Sequence, residues 1–177
     1  MEIIEFELIE KYARNYTETP IKLIPGALYK SGNYTNHKAE QLSKLLGVGN
    51  SSGFRSKNVI KQKKTAYIVA TITHENNDWN DTIDFSTSEV IYYGDNAKSN
   101  DILLTKQNGN KKLKYLFENS DDPSVQFPLF LFYRDTDCRN RDFKYAGIMV
   151  PNYNDNGLEI VENDNGIKNY KAHLTLT

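Results

Sequence analysis

Two stretches of the sequence concentrate the side chains that can bind an anionic polymer. Residues 50–64 contain one arginine and four lysines without an acidic residue, and residues 96–112 contain four lysines against one acid, Asp101. Lysines form salt-dependent contacts with phosphates, whereas arginine, asparagine and glutamine present the donors and acceptors that read base edges. We call these stretches the first and second basic arms. Their composition predicts a nucleic-acid partner.

The residues that we expect to contact DNA are charged, amide and hydroxyl side chains of the two arms. In the first arm they are Asn50, Ser51, Ser52, Arg55, Lys57, Asn58, Lys61, Lys63 and Lys64. In the second arm they are Asn96, Lys98, Asn100, Lys106, Gln107, Asn108, Asn110, Lys111 and Lys112. Because the arms flank one predicted strand-and-hairpin unit, they could project side by side from one end of a sheet and straddle a duplex. The alternative is two independent solvated loops.

The run YYGDN that begins at Tyr92 has two interpretations. Tyr92, Tyr93 and Asp95 could line a pocket for a base extruded from the duplex, with aromatic stacking and a carboxylate on the hydrogen-bonding edge of the base. The plainer interpretation, which we favour, is that Tyr93 packs in the core, Gly94 forms a turn and Asp95 caps it. Trp79 precedes a predicted strand and is likewise interpreted as a core residue.

Signals for catalysis are weak. The histidines His37, His74 and His173 lie in unrelated contexts without metal-ligand spacing, and Cys138 has no convincing base beside it. The sequence lacks the carboxylate pair followed by Glu-x-Lys that metal-dependent nucleases use, and it lacks a phosphate-binding glycine loop. We therefore predict no catalytic residue, no metal and no cofactor.

Length and composition describe one ordinary globular domain. The 177 residues are 38% hydrophobic and 25% charged, with a formal net charge of −1, so any basic surface must be local. The single cysteine excludes an internal disulfide and favours a reducing compartment. Because no apolar run approaches the length of a membrane span and no signal pattern opens the chain, we expect a cytoplasmic protein without membrane contacts.

Hydrophobic periodicity predicts a mainly β fold. The expected strands are residues 66–73, 81–85, 89–93, 127–133, 143–150, 158–161 and 170–176. A helix is predicted over 37–46, with Asn36 as its N-cap and Gly47 as its left-handed stop. Residues 1–10 fit a short helix or an edge strand, and residues 113–117 fit a short helix or a strand. About seven strands with short connections predict a closed barrel or a sandwich, with one or two short helices.

An ordered series of motifs resembles a known family. The motifs are PGALY (25–29), NSSGFR (50–55), WND (79–81), YYGDN (92–96), GN (109–110) with Leu113, PLFLF (128–132), GIMVP (147–151) and NYK (169–171). Together they resemble the DNA-recognition domain of several restriction endonucleases, of the AspBHI N-terminal, LlaJI and NgoAVII type.

The resemblance implies a seven-stranded open β pseudobarrel of the plant B3 or SRA type, with the two arms gripping the major groove. It makes Arg55 the leading contact of the first arm, and it implies that a separate nuclease or NTPase domain or subunit of the same restriction system is a partner. Residues 1–177 would then be a single DNA-recognition domain, the N-terminal module of a larger restriction-system protein.

Three hypotheses of function remain open from the sequence. The first is sequence-specific binding of double-stranded DNA through the arms, without catalysis, as target recognition for a restriction endonuclease. The second is a reader of modified cytosine (5-methylcytosine) that flips the base into the pocket of Tyr92, Tyr93 and Asp95. The third is a protein-interaction β-barrel whose lysines only solubilise it.

Overall fold

The computed structural model describes residues 1–14, 21–33, 39–50, 52–59, 64–73, 78–139, 141–152 and 157–177. The helices within these ranges are α1 (Phe6–Arg14), α2 (Gln41–Leu46) and α3 (Gly109–Glu118). The strands are β1 (Ile3–Ile4), β2 (Leu28–Tyr29), β3 (Phe54–Val59), β4 (Lys64–Ile72), β5 (Thr82–Asp84), β6 (Glu89–Tyr93), β7 (Leu129–Tyr133), β8 (Phe143–Pro151), β9 (Leu158–Glu162) and β10 (Lys168–Leu176).

The strands form one open sheet. Its main order is β3-β4-β7-β8-β10-β6-β5, with β9 beside β10, and with β1 and β2 attached to β8. The pairs β4–β7 and β1–β2 are parallel, and the other pairs in the described residues are antiparallel. Strand β10 forms hydrogen bonds with three strands, β6, β8 and β9. It therefore joins the hairpin β5–β6 to the rest of the sheet.

The predicted mainly β class is confirmed, and each of the predicted strands is present. The predicted number of seven is wrong, because the described residues form ten strands. The strands outside the prediction are β2 and β3. Residues 1–10, for which a short helix or an edge strand was left open, contain both the two-residue strand β1 and the start of α1. Strand β2 also has two residues, which is too short for a periodic pattern. Strand β3 lies inside the first basic arm. Its exposed residues Lys57 and Asn58 interrupt the apolar pattern that the buried Phe54 begins, so the sequence does not indicate a strand.

The helices differ from prediction at their starts. Helix α2 begins at Gln41 rather than at residue 37, and its N-cap is Glu40, whose carboxylate accepts a hydrogen bond from the backbone N–H of Ser43. The predicted N-cap Asn36 lies outside the described residues. Gly47 does end α2 in the left-handed region, with φ of 59°. No helix in the described part of the chain is long and apolar enough to cross a membrane.

One face of the sheet is covered by α3. Ile68 of β4 and Leu131 of β7 are fully buried on this face, and Leu113 and Leu116 of α3 pack against them. Helix α3 is therefore packed firmly against the sheet. Its first turn belongs to the second basic arm, for which the sequence predicts a polar segment without regular structure.

The opposite face is covered by α1 and α2. Val69 of β4 and Phe132 of β7 point to this face, where they pack with Ile9 of α1 and Leu42 of α2. Neighbouring residues of one strand thus enter different cores, which is the pattern of a strand buried on both sides. This double burial makes β4 and β7 the rigid centre that carries the arms.

Candidate nucleic-acid interface

The two basic arms border a common cavity of about 670 Å³. The first arm contributes Ser52 and Arg55 to its lining, and the second arm contributes Lys106 and Gln107. A further link between the arms is the amine of Lys112, which donates hydrogen bonds to Ser56 Oγ at 2.8 Å and to the Gln107 carbonyl at 3.1 Å. The arms are therefore neighbours in space.

The predicted contact residues fall into four groups by exposure. The exposed side chains are Asn50, Ser52, Lys57, Asn58, Lys64, Lys98, Asn100, Lys106, Asn108 and Lys111. Gln107 and Lys112 are half-buried. Arg55, Asn96 and Asn110 are buried. Ser51, Lys61 and Lys63 lie outside the described residues.

Arg55 is engaged within the protein, contrary to the expectation of an open base-reading side chain. Its Nη1 lies 2.7 Å from Glu40 Oε1, and both side chains are less than a tenth exposed. Its Nε donates to the Ser52 carbonyl at 2.8 Å, and Nη1 also donates to the Gly49 carbonyl at 3.2 Å. Arg55 therefore fastens the start of the first arm to the N-terminus of α2. A direct base contact stays a prediction, and it would require this buried ion pair to open.

Asn110 and Asn169 form the centre of a buried amide network. Asn110 Nδ2 donates to Asn169 Oδ1 at 3.0 Å and to the Ile102 carbonyl at 2.7 Å, while its Oδ1 accepts from the backbone N–H of Asp95. Asn169 Nδ2 donates to the Gly94 carbonyl at 2.8 Å. Gly94 has to be glycine here, because a Cβ would overlap Asn110 Oδ1 and lie 2.6 Å from Asn169 Oδ1. The network ties the end of β6 to α3 and β10.

Asn96 extends this network. Its Nδ2 donates to the carbonyls of Lys168 at 2.7 Å and Ser99 at 2.9 Å, and its Oδ1 accepts from the Ser99 backbone N–H. The amides of Asn96 and Asn110 are thus committed to the fold. Both side chains are buried in this structure, and a contact between either amide and DNA stays a prediction.

Asp95 serves the start of α3. Its carboxylate accepts hydrogen bonds from the backbone N–H groups of Gln107, Gly109 and Asn110 at 3.0–3.2 Å. The N–H groups of Gly109 and Asn110 are among the donors that a helix start leaves without intrahelical partners. Asp95 thus caps the start of α3 rather than the turn at Gly94, and a role on the edge of a base stays a prediction.

Tyr92 and Tyr93 both line the cavity, but in different ways. Tyr92 is buried, and its hydroxyl donates to the Gly53 carbonyl at 2.8 Å, which holds the first arm against β6. Burial raises the pKa of this hydroxyl well above its usual range, so it is a neutral donor. Tyr93 is half-buried and stacks on Trp79, with ring centroids 5.5 Å apart and planes 29° apart. The pair presents aromatic surface to the cavity.

Asp81 and Asp95 both line the cavity, and Asp81 differs from Asp95 in that its carboxylate does not cap α3. Asp81 Oδ1 accepts a hydrogen bond from the backbone N–H of Tyr93 at 2.7 Å. Burial raises the pKa of Asp81 to about 7, and the hydrogen bond from Tyr93 opposes that shift. A carboxyl with such a pKa can be neutral near neutral pH, where it both donates and accepts a hydrogen bond.

Asp81 is not among the site residues predicted from the sequence, and Trp79 is interpreted there as a core residue. In the structure Trp79 is half-buried against Tyr93. The sequence signal at this place is an acid two residues after a lone tryptophan, directly before a predicted hairpin. The indole Nε1 donates to the Asn96 carbonyl at 3.1 Å, so Trp79 also connects the cavity to the second arm. In the described residues, no three His, Cys, Asp or Glu side chains gather as a metal site.

Comparison with solved structures defines the class of fold. The chain superimposes on the SRA domain of SUVH5 in a complex with methylated CHH DNA, with a TM-score of 0.52 and 18% identity over 87% of this chain and 94% of that chain. This likeness places the fold in the SRA-like class. No functionally curated protein matches the sequence.

Two similarities are much stronger. The DNA recognition domain of the cytosine modification-dependent restriction endonuclease LpnPI matches with a TM-score of 0.81 and 31% identity over 99% of this chain and 79% of that chain. The DNA modification-dependent restriction endonuclease AspBHI matches with a TM-score of 0.80 and 24% identity over 98% of this chain and 80% of that chain. Residues 23–177 match the family model described as the N-terminal domain of restriction endonuclease AspBHI. The chain belongs to this family, which confirms the resemblance noted in its sequence.

The amide network predicts a stability defect for Asn110→Ala. The variant leaves the Asp95 N–H and the Ile102 carbonyl without their buried partner, so we expect the free energy of unfolding to fall by about 2–4 kcal/mol in a urea titration. Asn100→Ala removes an exposed amide of the same arm and should change it by less than about 0.5 kcal/mol. Equal unfolding midpoints for the two variants would contradict a structural role for Asn110.

The Arg55–Glu40 pair makes a second stability prediction. Arg55→Met leaves Glu40 buried and uncompensated, and should lower the free energy of unfolding by about 3–5 kcal/mol. The double variant Arg55→Met/Glu40→Met should lose less than the sum of the two single losses, because neither charge is then left alone. Lys64→Met, at the exposed start of the paired strand β4, is the control and should change the free energy of unfolding by less than about 0.5 kcal/mol. Strictly additive losses would show that the pair is not coupled.

Proposed function

We propose that this domain recognises double-stranded DNA that contains a modified cytosine, and that it holds the base outside the stack in the cavity between the arms. The observation that carries the proposal is the cavity itself, where Asp81, Trp79 and Tyr93 meet between two lysine-bearing arms. Its volume of about 670 Å³ lies within the range of small-ligand sites. The family relationship to recognition domains of modification-dependent endonucleases supports the same proposal.

The cavity offers the contacts that an extruded base requires. Enzymes and readers that take a base out of the duplex hold it by stacking and by hydrogen bonds to its Watson–Crick edge. Tyr93, backed by Trp79, offers a stacking surface, and Asp81 offers the polar edge. Tyr93 N–H bonds Asp81 Oδ1, which keeps a second lone pair, so Oδ1 could accept from the base while a protonated Oδ2 donates to it.

Asp81 suits cytosine because the chemistry of the two groups is complementary. Cytosine presents an amino donor at N4 and an acceptor at N3, and a neutral carboxyl accepts from the first and donates to the second. Thymine reverses both positions, with an acceptor at O4 and a donor at N3. Asp81 would therefore select cytosine, whereas Asp95, the carboxylate that the sequence suggested, is occupied by α3.

The exposed lysines of the arms would hold the DNA backbone around the extruded base. Lys57, Lys98 and Lys106 are exposed on the two arms, and their contacts with phosphates would be independent of sequence. The sequence-based hypothesis of major-groove reading remains a second candidate, since Asn50 and Asn58 are exposed amides in the first arm.

The domain would act as the target-recognition part of a restriction system in the cytoplasm and leave cleavage to a nuclease or NTPase domain or subunit. This proposal rests on the family relationship, which covers residues 23–177. Cleavage of modified duplex by the purified chain with Mg²⁺ would contradict it.

Binding to matched duplexes tests the proposed recognition. We expect a duplex with one 5-methylcytosine to bind at least about tenfold more tightly than the same duplex with cytosine, as measured by fluorescence anisotropy, which corresponds to about 1.4 kcal/mol. Equal affinities with strong dependence on base sequence would favour major-groove reading without base extrusion. Absence of binding to any duplex at low salt would favour the protein-interaction barrel.

Asp81→Ala tests the reading of the base edge. Thymine carries the same C5 methyl group as 5-methylcytosine, so a comparison of the two duplexes isolates the Watson–Crick edge. We expect the variant to lose roughly tenfold of the preference for 5-methylcytosine over thymine, the scale of one good base contact. Asp84→Asn, an exposed acid on the same hairpin, should leave the preference unchanged. An unaltered preference in Asp81→Ala would contradict the assignment.

The pKa of Asp81 predicts how this preference depends on pH. Since burial raises that pKa to about 7, the carboxyl loses its proton as pH rises through 7, and with it the hydrogen bond to N3. The preference for 5-methylcytosine over thymine should decline between pH 6 and about pH 8.5. Asp81→Asn keeps one donor and one acceptor without titrating, so its preference should be independent of pH. A wild-type preference that rises with pH would contradict a neutral Asp81.

A further inference from the structure

A second cleft, of about 410 Å³, lies on the other side of the first turn of α3. Lys111 and Lys112 of α3 form one wall, and Lys64 at the start of β4 lies opposite. Gln126 and Phe127, which lead into β7, complete it. The cleft thus joins a lysine of the first arm, two lysines of the second arm and a segment that belongs to neither.

The charge of this lysine cleft is positive. Lys64 and Lys111 are exposed, and none of the described residues that line the cleft is acidic. Asp122 is an exposed acid close enough to Lys64 to be influenced by its charge. Hydrogen bonds from Ser124, and to a smaller extent the charge of Lys64, lower the pKa of its carboxyl. Two exposed ammonium groups around a concave surface suit phosphate oxygens.

The floor of the cleft is apolar. Tyr115 and Phe127 have nearly parallel rings, with centroids 6.5 Å apart and planes 7° apart. Tyr115 is 43% exposed, so one aromatic surface remains open to a ligand beside the lysines. A cationic rim over an aromatic floor is the combination that nucleic-acid grooves use for backbone and sugar or base.

The two cavities share one wall. Lys106 and Gln107 line the first cavity, and the next residue, Asn108, lines the lysine cleft together with Lys111. A DNA strand that leaves the first cavity past this wall would pass the lysine cleft next, because the residues that separate the two are adjacent in the chain.

We propose that the lysine cleft binds the phosphodiester backbone of the DNA strand beside the recognised nucleotide, with Lys64 and Lys111 on phosphates and Tyr115 against the adjoining sugar. The proposal rests on the proposed function, because it places the cleft on the path of the same DNA. Contacts with the backbone do not depend on base sequence or on base modification. They add affinity, and they fix the direction in which the strand leaves the first cavity.

The salt dependence of binding tests this contact. With a long duplex carrying one 5-methylcytosine, Lys64→Gln/Lys111→Gln should reduce the slope of log K against log salt by about 1.8, from about 0.9 for each lost phosphate contact. On a duplex truncated directly beside the modified base, on the side where the strand would enter the cleft, the variant and the wild type should bind alike. The preference for 5-methylcytosine over cytosine should be unchanged on either duplex.

Matched variants on the same elements sharpen the test. Lys114→Gln removes a lysine of α3 that pairs with Glu118 and lines a different cleft, and it should leave the slope unchanged. Asp122→Asn removes the nearby negative charge, so it should strengthen binding to the long duplex. Tyr115→Ala should weaken binding to the long duplex about fivefold or more without changing the slope.

Two outcomes would overturn the proposal. An unchanged salt slope in the double lysine variant, with wild-type folding by circular dichroism, would show that DNA does not reach the cleft. Loss of the preference for 5-methylcytosine in the same variant would show that the cleft belongs to base recognition. Failure of the proposed function is distinguishable, because the wild type itself would then bind modified and unmodified duplexes equally.

Discussion

The hydrogen bonds among Asn96, Asn110 and Asn169 hold together the parts of the molecule on which the cavity depends. They connect the end of β6, the start of α3 and the start of β10, which are distant in the chain. The amides satisfy backbone groups of all these segments at once, and a hydrophobic side chain could not replace that function. Because Tyr92 and Tyr93 directly precede the network, any displacement of it moves the aromatic wall of the cavity and the first turn of α3 together.

Much of the sheet follows from local patterns in the sequence. The hairpin β5–β6 and the strands β7 and β8 have strong apolar or alternating patterns, which identify them without knowledge of their partners. Strand β3 does not, because its exposed half is basic and its pairing with β4 is what makes it a strand. The same holds for β1 and β2, which exist through contacts with each other and with β8.

The candidate site follows from the sequence only in part, for a physical reason. Lysine side chains usually stay in water, so the exposure of most arm lysines was predictable from residue type, although Lys112 is half-buried. The burial of Arg55 depends on Glu40, and that of Asn110 depends on Asn169, which lies 59 positions away. Polar residues that pair over such separations look like surface residues in a sequence. Asp81 looks like an ordinary strand-edge acid in the sequence. Its burial in the fold, which the sequence does not reveal, raises its pKa to about 7.

The parallel pairing of β4 with β7 has a kinetic consequence. Ile68 is in register with Leu129, and the intervening chain contains the hairpin β5–β6 and helix α3. Strand β10 then pairs with β6, β8 and β9, so the sheet acquires its last long-range contacts only after most of the chain is in place. A topology with so many non-local contacts folds slowly, because loop closure must precede the contacts that reward it. A growing chain emerging from the ribosome would therefore expose its apolar strands for a time and lack a working recognition surface until β10 docks.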